Sequence, residues 1–143
     1  MPQQQVPHRG MRWFVVLLAI SCCLASGTRS VWDGVYTNEQ ATRGKATYVE
    51  ECAKCHSENL TGGESAPSLV GRLFLKNWYG RSVGDMVAIM IKTMPSEDPG
   101  SLSRRQYADL AAYVLQGNNF PAGAKELDSA PTAISDIKIE EKK

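Results

Sequence analysis

Histidine and cysteine are scarce in this chain, and their scarcity narrows its chemistry. The 143 residues include two histidines, His8 and His56, and four cysteines, Cys22, Cys23, Cys52 and Cys55. A structural zinc site takes four Cys or His ligands, and no second Cys pair stands beyond Cys52 and Cys55 to complete one. With His56 the one histidine beyond the N-terminal segment, no Ser/His/Asp set and no second metal motif can be assembled from the rest of the chain. Charge of one sign is lacking too. Sixteen Lys and Arg against 15 Asp and Glu give a net charge of +1, which argues against a nucleic-acid partner and against strong long-range steering. Strand-period segments of useful length and internal repeats are also absent, so the chain reads as all-α.

No apolar run is long enough to span a bilayer as a helix, which takes about 18–20 residues. The longest, Trp13–Ile20, follows Arg9 and Arg12 and precedes the small residues Ala25-Ser26-Gly27. A basic flank, a short apolar stretch and a small-residue exit make the pattern of a cleaved secretory signal, here residues 1–27. A retained anchor, or a lipoprotein modified at Cys22, fits the pattern less well. Cleavage leaves 116 of the 143 residues, and the loss of two arginines leaves 14 basic against 15 acidic residues, a net charge of −1. Cys22 and Cys23 leave with the signal, so the mature domain has no disulfide framework, and a cofactor can supply the staple that a small core needs.

Residues 28–37 read as an extended lead-in. Thr37-x-x-Gln40 forms a capping box at the start of a first helix, whose inner face is drawn by Ala41, Gly44, Lys45, Tyr48 and Cys52. Residues 57–72 hold Gly62-Gly63, Pro67 and Gly71 and read as loop, followed by a short helical piece around 73–79. Ser82-x-x-Asp85 opens another helix, with Val83, Val87, Met90 and Ile91 in one stripe, and Pro95 ends it by Thr93 or Met94. After the turn-rich Ser96–Gly100 a last helix begins at Ser103-x-x-Gln106, buries Tyr107, Leu110, Ala111 and Val114, and stops at Gly117 as its C′ glycine. The domain then spans 38–123, and the polar, aperiodic residues 124–143 read as a flexible tail.

The chemistry sits in Cys52-Ala-Lys-Cys55-His56. A bare CxxC also serves zinc sites and thiol oxidoreductases, but the first needs more ligands and the second a βαβ context that a helical chain lacks. With histidine directly after the second cysteine, the motif is the attachment signature of c-type haem. Two thiols on one helical turn reach the vinyl groups on one side of a porphyrin, and His56 projects over the iron as its proximal ligand. For the sixth ligand Met86, Met90 and Met94 compete. Met86 and Met90 lie in the apolar face of a helix, whereas Met94 lies beyond it in Lys92-Thr-Met-Pro95, where the backbone is extended.

On these residues the chain resembles the class I bacterial cytochromes c, and in particular the small single-haem ones that serve periplasmic quinoprotein dehydrogenases. The likeness covers about residues 38–120: Gly44 and Tyr48 stand eight and four residues before Cys52, and Asp109-Leu-Ala-Ala-Tyr113 supplies the Leu and Tyr of the last helix. The resemblance implies that the N- and C-terminal helices cross at Gly44 around one covalently bound haem. It implies that the Pro67 carbonyl accepts a hydrogen bond from His56, and that Trp78 and Arg72 lie near the haem propionates. Ala66 departs from the glycine usual before that proline.

The function so implied is one-electron transfer in the periplasm by a haem c with His56 and Met94 as axial ligands. Its partners would be redox proteins, a dehydrogenase as donor and an oxidase or another cytochrome as acceptor, with the membrane met only transiently or through a partner. An open sixth site would instead make a haem enzyme or gas-binding protein, and a fixed cytochrome subunit of a dehydrogenase or respiratory complex is a third reading.

Overall fold

The computed structural model describes residues 1–2 and 27–142; the expectations about the export signal and Cys22 lie outside them. Among the described residues five helices carry the fold: α1 (Asn38–Glu51), α2 (Ala53–His56), α3 (Gly71–Trp78), α4 (Val83–Thr93) and α5 (Arg104–Gly117). The fold is all-α, with one parallel pair of two-residue strands among the described residues, β1 (Arg29–Ser30) and β2 (Ile137–Lys138).

Helix starts follow side-chain chemistry. Ser82 and Ser103 each cap the N–H three residues on, while Asp85 and Gln106 reach back to the cap N–H. Thr37 caps Gln40, but the expected reciprocal bond is missing. Gln40 is buried and spends its amide on residue 127, its Nε2 donating to Leu127 O (3.0 Å) and its Oε1 accepting from Leu127 N (2.7 Å). Lys45, expected on the inner face, is exposed, and Gln40 takes the place with Ala41, Gly44 and Tyr48.

α1 packs across α5 at Gly44. A Cβ there would lie 1.9 Å from the carbonyl oxygen of Asp109, so only glycine allows the two backbones to meet. Tyr48 and Tyr113 pack one turn further along, ring centroids 5.3 Å apart. Gly117 has a different role from the one its position suggests. It lies inside α5, the left-handed residue is Asn119, and a Cβ at 117 would come within 2.5 Å of Leu60.

Residues 124–142 correct the expectation of a flexible tail. Leu127, Ile134, Ile137 and Ile139 are buried in the core. β2 pairs with β1, Gly80 N–H donates to Ile139 O (2.8 Å), and Ile139 N–H donates to Arg81 O (2.9 Å). Trp32 Nε1 adds a bond to Glu140 O (2.9 Å), and Arg29 holds Asp136 through two nitrogens at 2.7 and 2.8 Å. Gly84 makes the close approach possible, because a Cβ there would sit 2.3 Å from Pro131 O. The lead-in, which itself holds a short 3-10 turn at Val31–Asp33, and the C-terminal strap thus close the fold on the side of α4.

Candidate functional site

α2 is a single turn. α1 breaks at Cys52, whose φ of −124° leaves the helical region, and the chain re-enters a helix at Ala53. The turn is tied at both ends, by Cys52 N–H on Tyr48 O (2.9 Å) and His56 N–H on Cys52 O (3.0 Å). Tyr48 braces the far side, its hydroxyl donating to Ser57 O (2.6 Å). Cys52, Cys55 and His56 all line one cavity of about 350 Å³, in the size range of cofactor pockets. Neither thiol is in a disulfide. Burial pushes the Cys52 thiol up to about 11, with smaller contributions from Glu51 and Cys55, so it stays protonated.

His56 is 7% exposed. Its Nδ1 lies 2.9 Å from the carbonyl oxygen of Pro67, which can only accept, so Nδ1 carries the proton. In the neutral ring Nε2 then carries the lone pair; it has no hydrogen-bond partner among the described residues and belongs to a ring that lines the cavity. That is the tautomer an iron ligand needs, fixed by a carbonyl outside the metal.

Met94 also lines the cavity, at the C-cap of α4 with extended backbone (φ −131°, ψ 150°). Met86 is buried in the core and Met90 half-buried, and both reach the same cavity from within α4. Phe74, Leu110 and Val114 add apolar wall. Trp78 lines the cavity, and the Arg81 guanidinium lies 4.6 Å from its ring centroid. Arg72 does not line the cavity and is exposed. Two residues before Phe74 on α3, it points about 200° away from the buried face at 100° per residue. Arg81 was missed in the sequence because it lies past the end of α3. Tyr107 was read as core alone, yet its hydroxyl donates to Met94 O (2.7 Å).

The donor set fits a c-type haem: two free thiols, an imidazole with an uncommitted nitrogen, and a thioether around an apolar cavity. Among the described residues no group of three or more His, Cys, Asp or Glu could hold a bare metal ion, and no helix is long and apolar enough to cross a membrane.

No curated protein and no solved structure matches the chain. The model of the family described as cytochrome c oxidase, cbb3-type, subunit III matches residues 39–114, more than half of the chain, from the first turn of α1 into the last turn of α5. The C-terminal strap falls outside the match. This family's domain is a class I cytochrome c that holds a covalently bound c-type haem and exchanges electrons with redox partner proteins. The chain belongs to that family, and it is a haem-based electron-transfer protein.

Proposed function

We propose that the chain is a periplasmic one-electron carrier, with haem attached at Cys52 and Cys55, His56 and Met94 as axial ligands, and electrons passing from a dehydrogenase toward a respiratory oxidase. The observation that carries this is His56, buried with Nδ1 committed to Pro67 O at 2.9 Å in a cavity that Cys52, Cys55 and Met94 also line. When bound, haem c supplies a one-electron ferric/ferrous couple.

The chain's own residues do the rest. Pro67 fixes the plane and tautomer of His56 and raises the basicity of Nε2. The walls of Phe74, Leu110 and Val114 exclude water, which lowers the local dielectric and disfavours extra charge at the centre. As a ligand, the Met94 thioether would be soft and would favour the ferrous state, raising the potential. Arg81 and Trp78 border the same cavity and supply a cation and an indole N–H for carboxylates on the ring edge. The export pattern of residues 1–27 supports the periplasm, where this class of haem attachment takes place.

The test is the visible spectrum of the purified protein in both redox states, with acid–acetone extraction beside it. Haem that stays on the polypeptide and a ferric far-red band are expected. Haem released by the solvent would remove the thioether attachment, and rapid binding of carbon monoxide to a high-spin ferrous protein would replace the carrier with an open-site haem protein.

A second reading, a fixed subunit of a respiratory complex, is favoured by the oxidase-subunit description of the matching family. Native mass spectrometry of gently solubilised membranes and of the periplasmic fraction separates the two. A free carrier runs as a single 116-residue chain with haem, which is what remains of 143 residues without 1–27.

A further inference from the structure

Both backbone polar atoms of Met94 are committed. Its N–H donates to Met90 O (2.8 Å) and closes the last turn of α4. Its carbonyl accepts from two directions, from the Tyr107 hydroxyl at 2.7 Å and from Gly100 N–H at 3.3 Å. Tyr107 lies on the first turn of α5, is 1% exposed and lines the same cavity as Met94. The shorter and better of the two bonds therefore crosses from a packed helix to the extended segment after α4.

A thioether has no polar hydrogen and three rotatable side-chain bonds, so no partner can orient it as Pro67 orients His56. Hydrogen bonding can therefore order the Met94 sulfur only through its backbone. Pinning the carbonyl removes the freedom of the segment to swing away from the cavity, which raises the fraction of time the sulfur is in reach of a metal.

Resting on the ligation proposed above, we infer that Tyr107 is a positioning residue for the sixth iron ligand, acting through its hydrogen bond to the Met94 carbonyl. Its phenol holds the loop, and the loop holds the sulfur. The aromatic ring alone, as core, does not do this.

Tyr107→Phe keeps the ring and deletes the hydroxyl. Tyr36→Phe is the matched control, since Tyr36 is equally buried, spends its hydroxyl on Phe120 O (2.6 Å) and does not line the cavity. The readouts are the ferric far-red band and the rate at which cyanide binds the haem-loaded ferric protein, which is limited by departure of the native ligand. Tyr107→Phe should weaken the band and speed cyanide binding by about tenfold, the scale of one lost hydrogen bond. Tyr36→Phe should lower the melting temperature without either change.

Equal acceleration in both variants would mean general loosening of the fold and overturn the inference. So would an unchanged band and rate in Tyr107→Phe, in a protein whose band disappears in Met94→Ala. A band that survives Met94→Ala would instead remove Met94 as ligand, and the inference with it. The Met94→Ala arm thus tells failure of the ligation from failure of the positioning role.

Discussion

His56 and Met94 reach one cavity by opposite means. At His56 the side chain is fixed: Nδ1 is bonded to Pro67 O at 2.9 Å, and the ring has little left to choose. At Met94 the backbone is fixed, by Met90 O on one side and by Tyr107 and Gly100 on the other, and the side chain makes no hydrogen bond among the described residues. The difference follows from the two side chains. An imidazole has a second nitrogen that a carbonyl can grip, whereas a thioether offers only weak acceptance. One wall of the pocket is therefore local, running from α2 to a loop eleven residues on. The other needs α4 and α5 to be assembled first.

The comparison breaks most completely if the local wall loses its covalent anchors. Cys52→Ser with Cys55→Ser should leave little folded, haem-bearing protein in a periplasmic extract, because haem supplies much of the core of a domain this small. Holoprotein at wild-type yield would mean that His56, Met94 and the strap hold the fold without thioethers. Next in size is Met94→Ala, which should abolish the far-red band, lower the potential and admit cyanide or carbon monoxide. Met90→Ala should keep the band and cost about 2 kcal/mol, at the low end for a methionine only half-buried. The reverse pattern in potentiometry and spectra would move the ligand to Met90.

Gly44→Val attacks the joint between the walls. α1 leads into the cysteine turn and α5 carries Tyr107, so their crossing sets how far apart the two anchors stand. A valine Cβ would press on the Asp109 carbonyl, which is backbone and cannot rotate away. About 3 kcal/mol of stability should be lost, the upper end for overpacking, together with part of the far-red band. A denaturation midpoint equal to wild type would show that the helices do not meet there.

The same contrast between local and assembled structure explains what the sequence discloses. The caps at Ser82 and Ser103 and the stop at Pro95 are each written in a few neighbouring residues, whereas the crossing at Gly44 is implied by the resemblance to the class I cytochromes c. The place of Pro67 beside His56 comes from the same resemblance to the class I cytochromes c, and the loop between them is short enough to allow it. The strap could not be read. Leu127, Ile134, Ile137 and Ile139 follow no helical period, and their partners lie in α1, the turn before α4, α4 itself and the lead-in, so each looks like a stray apolar residue in a polar tail. Gln40 shows the same blindness at one position. Its spacing from Thr37 suits a capping box, but burial against Leu127 claims its amide. Arg72 went wrong by half a turn, since the face of a helix of eight residues is set by which aromatic it buries. Tyr107 fits the apolar stripe of α5, and nothing in that stripe tells where a hydroxyl points.

The smallest expected effect tests whether Met94 depends on its whole helix or only on its own end. Asp85 caps the N-terminus of α4, and hydrogen bonds from Ser82, first from its backbone N–H, hold its carboxyl below the usual range. A depressed folded value stabilises the protein above the unfolded carboxyl pKa of about 4 and is lost as pH falls through the folded value. Asp85→Asn cannot titrate there. It should be less stable than wild type by about 0.5 kcal/mol at pH 7, small because the site is largely exposed and screened. The gap should close as both proteins are taken below pH 4. The far-red band should not follow it, because Met94 is nine residues away at the other end of α4 and is held there by Tyr107. Chemical denaturation and the ferric spectrum, recorded on the same samples across that pH range, check both halves. A band that weakened in Asp85→Asn at pH 7 would mean that the N-terminal cap is felt at the ligand, and that the distal wall is positioned by the length of α4 rather than by α5.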